Sequence, residues 1–164
     1  MAKPSVDYLA ILKTLRRRDV DFIIVGGVCA ALHGAPLATF DLDLVHSREP
    51  RSLTGLWAAL QDLGAHYRIP GRMDKKPGPS DLASADHQML MTRCGPLDLF
   101  GTIGQGRDYG QLLEEAVEME IGTGLKVRVA TLESVIKTKE QSGREIDQAT
   151  LPVLRRVLEE KSKA

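Results

Sequence analysis

The pattern of apolar and polar positions predicts short strands alternating with amphipathic helices along most of the chain. Apolar residues at helical spacing indicate helices, and short continuous apolar runs indicate buried strands. Glycine, proline and polar residues mark the boundaries between these segments. The predicted helices are residues 6–18, 28–33, 53–63, 109–116, 132–139 and 148–160, and the predicted strands are 22–25, 39–45, 87–93, 97–100 and 127–129.

Strands mixed with helices, and a hairpin at Cys94-Gly95-Pro96, predict an α/β fold of the α+β type. We expect a mixed β-sheet flanked by helices, followed by C-terminal helices. A chain of 164 residues suits one domain, 1–164, with a core at about 20–130 and a helical segment at about 131–160. The polar segment SGREID is expected either to continue or to kink the last helix.

Residues 68–86 are rich in proline, glycine, serine and charge, and they predict a long loop. Loops of this length in small domains are usually functional or mobile. Arg72, Lys75 and Lys76 form a local basic cluster in it. The cluster is either solvated or part of a lid that binds the acceptor of a reaction.

Composition narrows the functional classes. The formal net charge is +0, which gives no overall electrostatic reason to bind nucleic acid or a membrane. Two cysteines are too few for a secreted disulfide scaffold and favour reduced thiols. The sequence shows no signal peptide and no apolar run of transmembrane length. We therefore expect a cytoplasmic protein with no membrane partner.

Two aspartates interrupt a predicted apolar strand. Residues two apart in a strand project to the same face, so Asp41 and Asp43 are expected to project together. Phe40, Leu42 and Leu44 should then pack in the core on the opposite face. Like charges held this close repel one another, and a proton or a cation relieves the repulsion. Two converging carboxylates are suitable ligands for Mg²⁺.

A third carboxylate, Asp98, stands alone in the apolar run at 97–100. If the two strands are neighbours, Asp98 joins the pair. Three carboxylates can hold two divalent cations, which is the arrangement used in phosphoryl transfer. The alternative is a charge on an edge strand that prevents aggregation.

Gly26 and Gly27 lie where a predicted strand turns into a helix. Glycine allows the backbone to approach a ligand closely, and the first amides of a helix attract phosphate. The alternative is a tight turn with no ligand. No metal-ligand spacing is present among the four histidines, His33, His46, His66 and His87.

The segment VGG, followed after the next helix and turn by DLDLV, resembles the signature of the polymerase-beta-like nucleotidyltransferase superfamily. The resemblance is closer to its minimal and abortive-infection toxin-type members. LDLFGTI is similar to the strand that carries the third carboxylate. LESVIKTKEQSGREID is similar to a C-terminal helical segment, in which Lys139, Arg144 and Asp147 match. The resemblance touches most of residues 22–158.

This resemblance implies a nucleotidyltransferase fold and an Mg²⁺-dependent enzyme that binds two ions. The enzyme would move a nucleoside monophosphate from an NTP to a hydroxyl of a tRNA or protein acceptor, in a toxin–antitoxin or phage-defence system. The alternative is a non-catalytic nucleotide-binding or antitoxin-like module that binds a partner. The implied catalytic and metal-binding residues are Asp41, Asp43 and Asp98, and the implied nucleotide-binding residues are Gly26, Gly27, Thr39 and Lys139.

The chain departs from the pattern at three positions. Gly27 replaces a common serine, Leu37 replaces an arginine, and Ile146 replaces a lysine. Lys139 is either a phosphate contact or a solvated helix residue. For Arg144 and Asp147 we favour an ion pair between residues three apart on a helix over a direct role in the reaction.

Overall fold

A computed structural model describes residues 6–163 as a mixed sheet covered by helices. The helices in this range are α1 (Tyr8–Arg17), α2 (Gly26–Leu32), α3 (Pro50–Asp62), α4 (Pro79–Ala83), α5 (Tyr109–Leu113), α6 (Leu132–Ser142) and α7 (Glu145–Ser162). The strands are β1 (Phe22–Val25), β2 (Leu42–His46), β3 (His66–Tyr67), β4 (His87–Thr92), β5 (Gly95–Phe100), β6 (Thr102–Ile103), β7 (Arg107–Asp108), β8 (Val117–Ile121) and β9 (Leu125–Val129).

Seven strands form one sheet in the order β3-β4-β5-β2-β1-β9-β8, and β6 pairs with β7 in a separate small hairpin. Strand β1 is antiparallel to β2 and parallel to β9, while β2 is parallel to β5. The sheet is therefore mixed, as predicted. Strands β4 and β5 form the predicted antiparallel hairpin. The central position of β2 brings its side chains next to those of both β1 and β5.

Aliphatic side chains of the central strands form the core, and Leu42 and Leu44 are buried as expected. The expectation that Phe40 packs beside them is wrong, because its side chain is 78% exposed. Strand β2 begins at Leu42 rather than at residue 39, so Phe40 precedes the sheet and has no neighbouring strand to cover it. The alternation of inward and outward side chains holds only within the paired strand.

Several predicted boundaries also differ. Helix α2 begins at Gly26 rather than at residue 28. The segment at 68–86 contains the short helix α4 and is not a continuous loop. Strands β3 and β8 were not predicted, and both lie at edges of the sheet. Three of the five side chains of β8 are exposed, so no continuous apolar run marks this strand.

The C-terminal segment consists of two helices, as expected. Gly143, with φ of 70°, ends α6 in the left-handed region that favours glycine. Only Gly143 and Arg144 lie between α6 and α7, so the segment SGREID spans the junction of two helices. No helix within residues 6–163 is long and apolar enough to cross a membrane.

Candidate functional site

Three carboxylates meet at the centre of the sheet. Asp43 on β2 and Asp98 on β5 are paired in register on adjacent parallel strands, so their side chains project to the same face. Asp41 lies one residue before β2. One carboxylate oxygen from each of the three residues lies within 4.8 Å of the others. The expected convergence of the three aspartates is observed.

Asp43 has the least compensated charge of the three. Its Oδ1 atom is buried and has no hydrogen-bond partner in the described part of the chain. Burial, together with the charges of Asp98 and Asp41, raises the pKa of Asp43 to about 8. Burial likewise raises the pKa of Asp41, and the charge of Asp98 adds to the effect. An unpartnered carboxylate oxygen beside two further carboxylates fits a hard divalent cation.

Asp98 has a basic side chain next to each of its oxygens, Arg68 on one side and His87 on the other. Arg68 Nη1 lies 2.5 Å from Oδ1, and His87 Nε2 lies 3.3 Å from Oδ2. Oδ1 has no well-aligned hydrogen bond, so its contact with Arg68 is a charge pair. Burial acts to raise the pKa of Asp98, but the contacts with His87 and Arg68 outweigh burial and hold this pKa below its ordinary value. Arg68 Nη2 also lies 3.7 Å from Asp41 Oδ2.

Sequence reasoning missed both Arg68 and His87 as site residues. Arg68 follows the unpredicted strand β3, and its amide donates to the Met89 carbonyl at 3.1 Å. His87 begins β4 and stacks on Phe100, with ring centroids 4.0 Å apart. Side chains of β4 project alternately to the two faces of the sheet, and β4 forms a hairpin with the strand that carries Asp98. These two features could have identified His87 as a site residue. No comparable signal existed for Arg68, because β3 has only two residues.

The glycine pair lies directly against the carboxylates. Gly26 has φ of 70°, and a Cβ atom there would collide with Asp43 Oδ2. A Cβ atom on Gly27 would lie 3.0 Å from Thr39 Cγ2. No side chain caps the first amides of α2, since its N-cap residue is Val25. The glycines therefore allow the β1–α2 turn to approach Asp43 and Thr39 closely, and they leave backbone donors near the cluster.

A cavity of about 400 Å³ opens beside Asp43. Its lining includes the glycine pair and Asp43 together with residues of α6 and α7. Its apolar lining includes Phe100, Ile103 and Val135, and its basic lining consists of Lys139 and Arg144. The sequence-predicted residues Gly26, Gly27, Asp43 and Lys139 are thus brought to one cavity, with Asp41, Asp98 and Thr39 next to it.

Lys139 and Arg144 are anchored by Asp147. Asp147 accepts from Lys139 Nζ at 2.9 Å, from Ser142 Oγ at 2.6 Å and from Arg144 Nε at 2.8 Å. Burial acts to raise the pKa of Asp147, but these donors outweigh it and lower the pKa to about 2. The ion pair that we favoured for Arg144 and Asp147 is present. The Lys139 side chain is only 18% exposed, so it is not a solvated helix residue, whereas Lys137 is exposed.

The basic cluster of residues 72–76 does not join this cavity. Arg72 stacks on the ring of Tyr67, 4.1 Å from its centroid, and Lys76 lines a different cavity. Of the positions where the chain was expected to depart from the resembled pattern, Leu37 is partly buried against the core and Ile146 is 69% exposed. Neither residue lines the cavity beside Asp43.

Neither a protein-family model nor a curated protein sequence matches the chain. Solved structures do match it. A Thermotoga maritima protein thought to be a nucleotidyltransferase aligns with a TM-score of 0.57 and 19% identity, over 98% of this chain and 96% of that chain. The lincosamide antibiotic adenylyltransferase LnuA, in its lincomycin-bound form, aligns with a TM-score of 0.63 and 15% identity, over 93% and 99%.

A third structure, an antigenic nucleotidyltransferase-like protein from Paracoccidioides brasiliensis, aligns with a TM-score of 0.51 and 18% identity, over 88% of this chain and 72% of that chain. All three similarities run through most of this chain and share its mixed sheet with flanking helices. The chain therefore has the nucleotidyltransferase fold, as the sequence resemblance implied. At these identities the likeness concerns the fold, and the activity has to be argued from the site.

Proposed function

We propose that the protein is a divalent-metal-dependent nucleotidyltransferase that moves a nucleoside monophosphate from an NTP to a hydroxyl group. The observation that carries this proposal is the convergence of three aspartates, one with an unpartnered buried oxygen, beside a glycine turn and a cavity. Each feature alone has a structural explanation. Together they supply a metal site, a phosphate site and a space for a nucleoside.

Mg²⁺ is the metal proposed for the cluster, with Asp41, Asp43 and Asp98 as its candidate ligands. When bound, a divalent cation neutralises phosphate oxygens and favours the ionised form of an attacking hydroxyl. The residues fit such an ion because a cation would compensate the carboxylate of Asp43, whose pKa is raised by burial and by the neighbouring charges of Asp98 and Asp41. This compensation would make metal binding favourable without rearrangement of β2 or β5.

The chain's own groups divide the remaining tasks. The amides of Gly26 and Gly27 donate to the triphosphate, and Thr39 lies against the same turn. Lys139 lines the cavity and is paired with Asp147. It supplies positive charge for the phosphates once a contact with the nucleotide replaces this ion pair. Asp98 receives the proton of the acceptor hydroxyl as its oxygen attacks the α-phosphorus and pyrophosphate leaves.

The acceptor is proposed to be a hydroxyl of a tRNA or a protein, with a role in a toxin–antitoxin or phage-defence system. Small molecules belong in the same test, because LnuA is an adenylyltransferase of a lincosamide antibiotic. The cavity beside Asp43 is lined partly by apolar side chains, which suits the ring of a nucleobase or of a small acceptor.

The test is incubation of the protein with each α-labelled NTP and Mg²⁺, together with total tRNA, cell lysate protein or hydroxylated antibiotics. We expect label to appear in one acceptor class and to require the metal. Asp43→Asn is the inactive control, and Asp74→Asn, which alters an exposed aspartate in another part of the chain, is the matched active control.

The alternative function is a non-catalytic module that keeps the fold and binds nucleotide or a partner. It predicts metal-dependent NTP binding by calorimetry with no labelled product in any acceptor class. Absence of NTP binding, in protein shown to be folded, would exclude the enzyme and the nucleotide-binding module and would leave only a module that binds a partner.

A further inference from the structure

The compensation of charge in the acidic cluster is uneven. Asp98 Oδ1 lies against the Arg68 guanidinium and Oδ2 lies 3.3 Å from His87 Nε2, whereas Asp43 Oδ1 has no partner among the described residues. The negative charge that still needs a cation is therefore concentrated at Asp43 and the adjacent Asp41. The Asp98 side of the cluster already contains one, the guanidinium of Arg68.

Arg68 is held in place by more than its charge. Its Nη1 group donates to the Leu90 carbonyl at 2.7 Å, and its side chain is only 17% exposed. Its amide is bonded to β4 as well. A guanidinium stays protonated at any pH at which the protein is folded, and its planar fork can serve two carboxylates at once. Arg68 uses two nitrogens in this way, toward Asp98 and Asp41.

We infer that Arg68 takes the place of a second divalent cation, so that this site binds one metal ion, between Asp41 and Asp43. This inference rests on the proposed nucleotidyl transfer, and it replaces our expectation of two ions by a count of one. A second ion would need Asp98 as a ligand, and it would lie against a fixed positive group that already neutralises that carboxylate. Repulsion between the two cations, in a poorly solvated position, opposes its binding.

The experiment counts bound Mn²⁺ by electron paramagnetic resonance, with and without an equimolar non-hydrolysable NTP analogue. We expect one ion per chain for the wild type in both conditions. Arg68→Gln removes the cation and should raise the count with the analogue to two. Arg72→Gln is the matched control, because Arg72 lies on the same segment but stacks on Tyr67, and it should keep the count at one.

Two Mn²⁺ ions in the wild type, or a count of one in folded Arg68→Gln, would overturn the inference. If Arg68→Gln does not fold, the wild-type count and Arg68→Lys decide, since a retained cation should keep the count at one. Anomalous scattering of Mn²⁺ in crystals locates the bound ion. A peak next to Asp98, in the position that Arg68 occupies here, also overturns the inference. A wild type that binds one Mn²⁺ but no nucleotide supports the inference and counts against the proposed function.

Discussion

Two aspartates of this protein, the partly buried Asp43 and the buried Asp147, show opposite solutions to the same physical problem. Asp147 lies at the start of α7 and accepts hydrogen bonds from Lys139, Ser142 and Arg144. Asp43 lies in the central strand β2, and its Oδ1 atom has no partner within the described residues. The pKa of Asp147 is lowered to about 2, and that of Asp43 is raised to about 8.

The Asp147 carboxylate stabilises the fold, whereas the fold leaves the Asp43 carboxylate available to a ligand. A buried charge with several donors joins two helices and fixes their geometry. A buried carboxylate oxygen without a donor costs stability, and selection retains it only where a ligand repays that cost. The location of the unpartnered group, beside a cavity and a glycine turn, is thus an argument for function that the fold alone does not give.

The largest expected effect is on transfer by Asp43→Asn. The substitution keeps the shape of the side chain but removes the charge that holds the metal, so transfer should fall by roughly 10³-fold or more, the scale of losing an electrostatic centre. Labelled-nucleotide transfer and Mg–NTP calorimetry measure this. Asp74→Asn should match the wild type. A rate within tenfold of the wild type for Asp43→Asn would remove Asp43 from the metal site.

Asp98→Asn should affect the reaction without much effect on nucleotide binding. In the proposed mechanism Asp98 acts on the acceptor side, so transfer should fall by about 10²-fold, the scale of positioned acid–base groups. The Kd for Mg–NTP should change only a few-fold. The paired measurement is NTP affinity and label transfer, wild type against variant. Equal transfer by both proteins would show that the third carboxylate takes no part in the chemistry.

Stability should respond in opposite directions at the two aspartates. Asp147→Asn leaves Lys139 without its charge partner, and the free energy of unfolding should fall by about 2–3 kcal/mol. Asp43→Asn in the presence of EDTA should raise it by about 1–2 kcal/mol, because an amide avoids the cost of protonating or burying this carboxylate on folding. Urea unfolding of both variants, with Asp74→Asn as control, measures the two changes. A change in the free energy of unfolding of the same sign in both variants would contradict the contrast drawn between Asp43 and Asp147.

The pH dependence of stability should also differ. A lowered folded-state pKa means that the contribution of Asp147 is complete above about pH 4 and is lost as the pH falls toward about 2. A raised pKa at Asp43 means the reverse: its contribution to stability without metal is most favourable below about pH 4 and decreases as the pH rises toward about 8. Urea unfolding in EDTA across this pH range should show the free energy of unfolding changing with pH in both ways. Asp147→Asn should flatten the change at low pH, and Asp43→Asn should flatten the change between about pH 4 and 8.

The smallest expected effect on stability is at the glycine turn. Gly27→Ala places a methyl group 3.0 Å from Thr39 Cγ2, a contact that a small shift of the threonine relieves at a cost of about 1 kcal/mol or less. NTP affinity should fall by about tenfold, because the methyl group also narrows the approach to the amides. Gly110→Ala, whose added methyl group would make only an ordinary contact, is the control. If folded Gly27→Ala binds NTP with unchanged affinity, the glycine is needed only for the geometry of the turn.

The sequence predicts the acidic cluster well, because charged residues in apolar strands stand out and strand alternation fixes their direction. Asp41, Asp43 and Asp98 were identified on that basis, and the structure brings them together. Phe40 shows the limit of the same rule, which fails where the strand has not yet begun. Arg68 was not predictable, since its position depends on a two-residue edge strand and on a carbonyl of β4. Tertiary pairing, which no local pattern records, decides such contacts.

The parallel pairing of β1 with β9 has a consequence for the chain while it is being synthesised. Ile24 pairs with Val129, so one edge of β1 has no partner until the chain has reached that residue and left the ribosome. Strands β2 and β5 leave the ribosome earlier. All three aspartates of the acidic cluster are therefore present before Lys139 has been synthesised. Arg68 precedes Asp98 in the chain, so the nascent cluster already has a countercharge. The edge of β1, in contrast, is exposed during translation and is the segment at which a stalled chain would aggregate.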